Sequence, residues 1–269
     1  EPDAKPGHDV EFVELFLNDT YQGLYSLSEQ VDRKLLKLKK KKDNVVRGEL
    51  YKANSYDQGT KFIGSPEFDE NSLYWAGFKA KYPFKDDYIA SWNKLADFMS
   101  FVSSSSDAEF SNGINTRLDL DNVIDYYLFF NLLRASDNLS KNYFLAKYNQ
   151  KTPYFFVPWD LDGVMGSIQD GKRIPYATDV LSNALFDRLV KTNPDNFNEK
   201  LKSRWKELRS GAYSDESLFN ALDESYTLLK SGHVYERDNM IWKQGKDIDE
   251  EYTYLKDWLQ RRLAFLDEQ

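Results

Sequence analysis

Asp137, Asn142, Asp160 and Asp162 are the side chains in this sequence whose types and spacing could do chemistry. Asp137 and Asn142 stand in the pattern D-x-x-x-x-N, and Asp160-Leu161-Asp162-Gly163 follows a short apolar run. Three carboxylates and an amide oxygen gathered at one spot repel one another unless a cation neutralises them. Hard oxygen donors of this kind suit Mg2+ or Mn2+, which retain waters and bind phosphates. Phosphoryl transfer uses such a set: an Asp and an Asn for the metals, and a second Asp to orient the attacking hydroxyl. Taken alone, Asp-Asn after a helix is more often a turn. Asp-Leu-Asp-Gly alone also fits a structural turn, a calcium-loop fragment or the strand-end D-x-D of a metal-dependent glycosyltransferase. An EF-hand is excluded, because its ligand series fails after Asp162.

Composition removes competing chemistries. There is no cysteine, and the two histidines, His8 and His233, are far apart. Thiolate zinc sites, cysteine nucleophiles, disulfide scaffolds and a His-rich metal centre all fall. Lys and Arg number 36 against 44 Asp and Glu, and the net charge of −8 argues against broad nucleic-acid binding. The 269 residues are 41% hydrophobic and 16% aromatic, enough for a substantial core. No apolar run reaches the roughly 18 residues of a membrane span. Residues 1–10 carry no charged-then-apolar leader pattern and read as a flexible tail or an artificial boundary.

A few elements must position the four residues. Apolar and polar residues alternate from Val10 to Leu17 and from Tyr21 to Leu27 around Asn18-Asp19, which predicts a β-hairpin. Glu29 to Leu38 reads as a short helix running into a solvated basic stretch at 37–42. Gly48–Ala53 reads as a strand and residues 54–88 as loop, punctuated by Gly59, Gly64, Pro66, Gly77 and Pro83. Helical spacing covers Asp86–Val102, closed by Ser103–Ser106, and Asp121–Arg134, whose broad apolar surface predicts burial. Asn142–Tyr148 and Tyr154–Val157 form a second predicted hairpin, whose ends bring Asp137, Asn142, Asp160 and Asp162 together. From Asn183 onward only helices are expected: Ala184–Lys191, Pro194–Gly211, Asp215–Ser231, Val234–Trp242 and Asp249–Asp267. The fold class is α+β, with a β-rich part at 11–85 and a larger, mainly helical part at 86–269 whose inserted hairpin carries the site. The order helix, Asp, Asn, hairpin, Asp is that of a protein-kinase catalytic loop and the metal-binding segment after it.

Several stretches together resemble the CotH kinase-like family, named for a spore coat protein. They are F-V-E-L-F-L-N-D-T-Y-Q-G-L-Y-S-L-S-E-Q-V-D (12–32), G-E-L-Y-K-A (48–53), L-D-L-D-N-V-I-D-Y-Y-L-F-F-N (118–131), S-D-N-L-S-K-N-Y-F-L (136–145), F-V-P-W-D-L-D-G-V-M-G (156–166) and D-W-L-Q-R-R-L-A-F-L-D (257–267). The pair S-D-N-L-S-K-N and V-P-W-D-L-D-G is the specific part. The resemblance implies an atypical protein-kinase-like fold over 11–269 that moves the γ-phosphoryl of ATP to Ser or Thr hydroxyls of a protein substrate, with Mg2+ or Mn2+. On it, Asp137 orients and deprotonates the acceptor, Asn142 and Asp160 hold the metals, and Asp162 assists. Lys141 would steady transferring charge, or be an exposed side chain. Glu29 would sit near adenine, or be a surface carboxylate. Lys52 would reach a phosphate, although a strand Lys lying along apolar surface is the commoner case. Family members also carry a segment before V-E-L-F-L-N that completes the nucleotide lobe and is not seen here, so weak or absent activity is expected of this chain alone. A catalytically silent coat or envelope assembly module and a glycosyltransferase using Asp160 and Asp162 are the competing functions. A spore-coat or envelope location is what the resemblance implies.

Overall fold

The computed structural model describes residues 7–43, 45–69, 72–83, 92–168, 170–243, 245 and 247–269. Most of the expected tail and the first turns of the expected helix 86–102 lie outside these residues. Helix exceeds strand at 44% to 18%, the α+β mixture expected.

Two sheets form. β1 (Val10–Leu17) and β2 (Thr20–Ser28) pair as a two-stranded antiparallel ribbon. β3 (Glu49–Ala53), β4 (Tyr74–Trp75), β5 (Phe78–Tyr82), β6 (Tyr143–Lys147) and β7 (Tyr154–Pro158) make a five-stranded sheet in the order β4-β5-β3-β6-β7. The predicted hairpin at 142–157 is therefore not a separate insert. Its first strand pairs with β3 from Ala53↔Tyr143 to Glu49↔Lys147, so the sheet bridges the boundary expected near residue 85. All named strand pairs are antiparallel and no βαβ unit occurs among the described residues. The glycosyltransferase reading, which required one before the D-x-D, loses its support.

Alternation along β3 separates two cores. Tyr51 and Ala53 face a large cluster with Phe78, Tyr143, Leu145 and Phe156, packed against α1 (Asn93–Ser104) and α3 (Leu120–Leu133). Leu50 lies on the other face with Phe144, Ala146 and Val157. Val31, Leu36 and Leu38 cover that second face. They come from the stretch expected to be a helix, and the structure has only a turn there. The Asp32 side chain accepts from Lys34 N (2.6 Å) and Leu35 N (2.8 Å), and Lys37 turns left-handed at φ 53°. Apolar spacing of 31, 36 and 38 cannot make one helical stripe. The basic run beyond it is largely exposed, as expected.

The helical half follows the sequence closely. α4 (Ala184–Thr192), α5 (Phe197–Arg209), α6 (Asp215–Ser231), α7 (Val234–Trp242) and α8 (Ile248–Leu266) lie where periodicity placed them. α2 (Asp107–Gly113), unforeseen, starts on a capping box between Ser106 and Glu109. The β1–β2 ribbon docks on α7: Arg237 grips Glu14 with two bonds (2.8 and 2.7 Å), and Leu24 N donates to Asp238 (2.8 Å). Gly23, at φ 111°, sits where a Cβ would lie 2.5 Å from the Trp242 indole nitrogen, so only glycine allows this approach.

Candidate active site

α3 delivers the site. Leu120, Val123, Ile124, Tyr127 and Phe130 are buried on it, which fixes its axis against the sheet. Its Asn122 side chain pairs with Phe156 of the edge strand β7 in both directions, donating to the carbonyl (3.1 Å) and accepting from the N–H (2.7 Å). The helix thus covers an edge that would otherwise stay unpaired. It ends at Arg134, left-handed at φ 53°, whose guanidinium holds both oxygens of Asp179 (2.8 and 2.7 Å). The chain then enters a 3-10 turn, Ser136–Leu139, which carries Asp137.

Asn142 and Asp160 flank the mouth of the β6–β7 hairpin. Trp159 N donates to Asn142 O at 3.1 Å, extending the ladder one step beyond Tyr143↔Pro158, and Asp160 is the next residue. Asn142 N donates to Ala53 O at 3.0 Å, which ties the same point to β3. Asn142 (φ 57°) and Asp160 (φ 59°) are both left-handed, a conformation that Asn and Asp tolerate better than other side chains. Asn142 is buried and Asp160 exposed. The buried Asn138 amide donates to Asn142 O (2.6 Å) and Trp159 O (3.0 Å), while Tyr126 of α3 donates to Asn138 O (2.7 Å).

Asp137 is half-buried and its two oxygens are occupied: Oδ1 accepts from the Tyr56 hydroxyl and Oδ2 pairs with Lys141 Nζ at 2.8 Å. Burial pushes its carboxyl up, and the hydrogen bonds from Lys141 and Tyr56 outweigh this, leaving it below the ordinary range. Lys141 is raised, chiefly by the Asp137 bond and further by the charges of Asp160 and Asp162. It is a paired side chain, not a free exposed one. Asp162 is raised by burial and by its neighbour Asp160. Lys52, on the same face of β3 as Leu50, sits over the Trp159 ring at 5.5 Å; burial lowers it and the charge of Asp160 pulls it back up. Glu29 is engaged within the ribbon: its N–H donates to Asp9 O and its carboxylate accepts from Asp9 N, and the neighbouring His8 ring packs on Trp159 at 4.9 Å.

The four predicted residues thus share one end of the sheet, where Asp162 feels the charges of both Asp160 and Asp137. Among the described residues no three His, Cys, Asp or Glu side chains are grouped to hold a metal ion. Asp137 is turned to Tyr56 and Lys141, apart from the residues expected to hold the metal. What remains for a cation is Asn142 and Asp160, with Asp162 next along the chain. Two hard oxygen donors fit Mg2+ or Mn2+ completed by waters and phosphate oxygens, the usual way Mg2+ is held. Sequence reasoning missed Tyr56, Asn138 and Trp159. The Asn-Asp content of the turn hinted at Asn138; nothing local marked Tyr56, whose partner is 81 residues away. A cavity of about 770 Å³, between α3, α5 and the end of α8, is lined by Leu201, Trp205 and Leu266 among others and holds none of the predicted residues.

No helix among the described residues is long and apolar enough to cross a membrane. No curated protein matches this chain. A family model described as CotH kinase protein matches residues 4–266. That match takes in both the ribbon on α7 and the hairpin mouth with its D-x-x-x-x-N loop, and the chain belongs to the CotH kinase protein family.

Proposed function

We propose that this protein transfers the γ-phosphoryl group of ATP to Ser or Thr hydroxyls of a protein substrate, with Mg2+ or Mn2+. The observation that carries this reading is the hairpin mouth, where one backbone bond joins Asn142 to Trp159, the neighbour of Asp160, and one buried amide ties both to the loop of Asp137. Asn142 and Asp160 would hold the metal, with Asp162 assisting. The metal would supply charge neutralisation for the ATP phosphates. Asp137 orients the acceptor hydroxyl and takes its proton. The acceptor oxygen bonds to the γ-phosphorus, and the bond to the β–γ bridging oxygen breaks to release ADP. Lys141 and Lys52, both under the field of Asp160, supply positive charge from two sides. Glu29, engaged within the ribbon, serves adenine only through groups not already used. A spore-coat or envelope setting is part of this proposal, supported by the family's association with the spore coat.

The test is ATP binding and acceptor phosphorylation with and without Mn2+, beside Asp160→Ala. Metal-dependent nucleotide binding that the substitution abolishes is the expected result. One observation favours a second reading, a silent assembly module with this fold: both Asp137 oxygens are already taken. Absence of any metal-dependent nucleotide binding would decide for it.

A further inference from the structure

Tyr56 is the residue that neither the motif nor the family pattern assigned, and it touches the group on which the reaction turns. Its hydroxyl donates to Asp137 Oδ1, the same kind of bond that an acceptor Ser or Thr hydroxyl must make. The backbone that presents it is pinned on both sides. Asn54 N and Ser55 N donate to Gly77 O at 2.9 and 3.2 Å. The fully buried Thr60 hydroxyl donates to Ser55 O (2.7 Å) and accepts from Asp57 N (3.0 Å). Gly77, at φ 89°, lies so close that a Cβ there would meet Ser55 O at 2.6 Å. Tyr56 itself is 50% exposed, its ring resting over Lys141 Nζ at 5.6 Å. The loop backbone is thus held by several bonds, whereas the half-exposed side chain is held by its hydroxyl bond to Asp137 and its contact with Lys141, so it can leave by a rotamer change once that bond is exchanged.

We infer that Tyr56 is a stand-in for the acceptor: its phenol fills the acceptor position on Asp137, and a substrate hydroxyl must displace it. This rests on the phosphotransfer reading above. Tyr56 acts by excluding water and weak acceptors from Asp137, so it sets selectivity for substrates that bring enough binding energy of their own. Because Oδ2 stays paired with Lys141, displacement frees one oxygen only and leaves the carboxylate oriented.

The test compares wild type, Tyr56→Phe and Asp137→Asn in ATP-dependent phosphorylation of a Ser/Thr acceptor protein, with thermal midpoints measured alongside. Tyr56→Phe keeps the ring over Lys141 and removes only the hydroxyl. The expected result is a fall in acceptor KM of about tenfold, the size of one bond to a charged group, and a rise in ATP hydrolysis without acceptor, with the thermal midpoint lowered by no more than a few degrees. A lowered kcat with unchanged KM would overturn the inference, since Tyr56 would then be positioning Asp137 and not occupying it. Unchanged kinetics in an active enzyme would overturn it as well. No transfer by either wild type or Tyr56→Phe would overturn the phosphotransfer reading, and this inference with it.

Discussion

The Asn138 side-chain amide donates to the Trp159 carbonyl at 3.0 Å, joining the loop that carries Asp137 to the strand end that carries Asp160. The same nitrogen donates to Asn142 O at 2.6 Å, so one group that is 2% exposed sets three candidate residues relative to one another. Asn138→Ala strands that carbonyl without its donor, at a cost of about 1–3 kcal/mol. We expect the thermal midpoint to fall by several degrees, and nucleotide affinity to fall with it, by calorimetry with Mn2+ present. A stable variant with normal affinity would show that the amide only fills space.

Asp137→Asn keeps the shape of the side chain and removes its capacity to take a proton. Acceptor phosphorylation should drop by about 100-fold or more, as for loss of a general base. Nucleotide binding should survive, because Asn142 and Asp160 are untouched. Equal loss of both would place Asp137 among the metal-holding groups.

Asp160→Asn and Asn142→Ala should do the reverse. The first removes the carboxylate charge and the second the amide oxygen at the hairpin mouth, and Mn2+-dependent ATP binding should weaken at least tenfold, read by calorimetry. Metal-dependent binding at wild-type strength in both variants would move the metal elsewhere.

Arg262 of α8 is fully buried and donates to the backbone carbonyls of Asn131 (2.8 and 2.6 Å), Ala177 (2.8 Å) and Asp179 (2.5 Å). It joins the end of α3 to the segment leading into α4. Arg262→Met keeps most of the volume and leaves all three carbonyls without this donor, costing about 3–5 kcal/mol. The thermal midpoint should fall by roughly 10 °C. A shift of a degree or two would mean that water replaces the guanidinium.

Asp179 tests the same junction through pH. The Arg134 hydrogen bond, opposed by burial, holds its carboxyl below the ordinary range. A depressed folded-state value means the stabilisation is present above the unfolded carboxylate range, near about 4, and is lost as pH falls through the folded value. The side chain is 41% exposed, so screening limits the contribution to about 1 kcal/mol. Asp179→Asn should therefore lower the urea midpoint near neutral pH, with the difference from wild type shrinking in acid. A gap that widens in acid would contradict this sign.

Much of the fold was readable in sequence, because the helical half has clean periodicity and marked caps. Ser214 and Asp247 cap α6 and α8, and the predicted bounds of α6 and α7 match the structure. The β6–β7 hairpin was readable for the same reason, through alternation and a polar turn. The short strands β4 and β5 were not, since Gly59, Gly77 and Pro83 punctuate a stretch whose order comes from β5 pairing with β3 and β4 pairing with β5. The D-x-x-x-x-N and D-L-D-G residues announced themselves by type. Tyr56 did not, because what gives it a role is a partner brought close by the sheet and not a local pattern, and the turn only hinted at Asn138, whose second partner is Trp159 across the hairpin.

β3 is the middle strand of the large sheet, and its neighbour β6 follows about ninety residues later in the chain, a separation that makes closure slow. Lys52 and Tyr56 are synthesised long before Asp137, Asn142 and Asp160 exist. A nascent chain still short of residue 160 lacks both this site and the α7 surface on which the ribbon docks. Assembly of the centre is thus a late event in the life of each molecule, and any truncation inside the helical half that unseats α3 would silence the sheet end it serves.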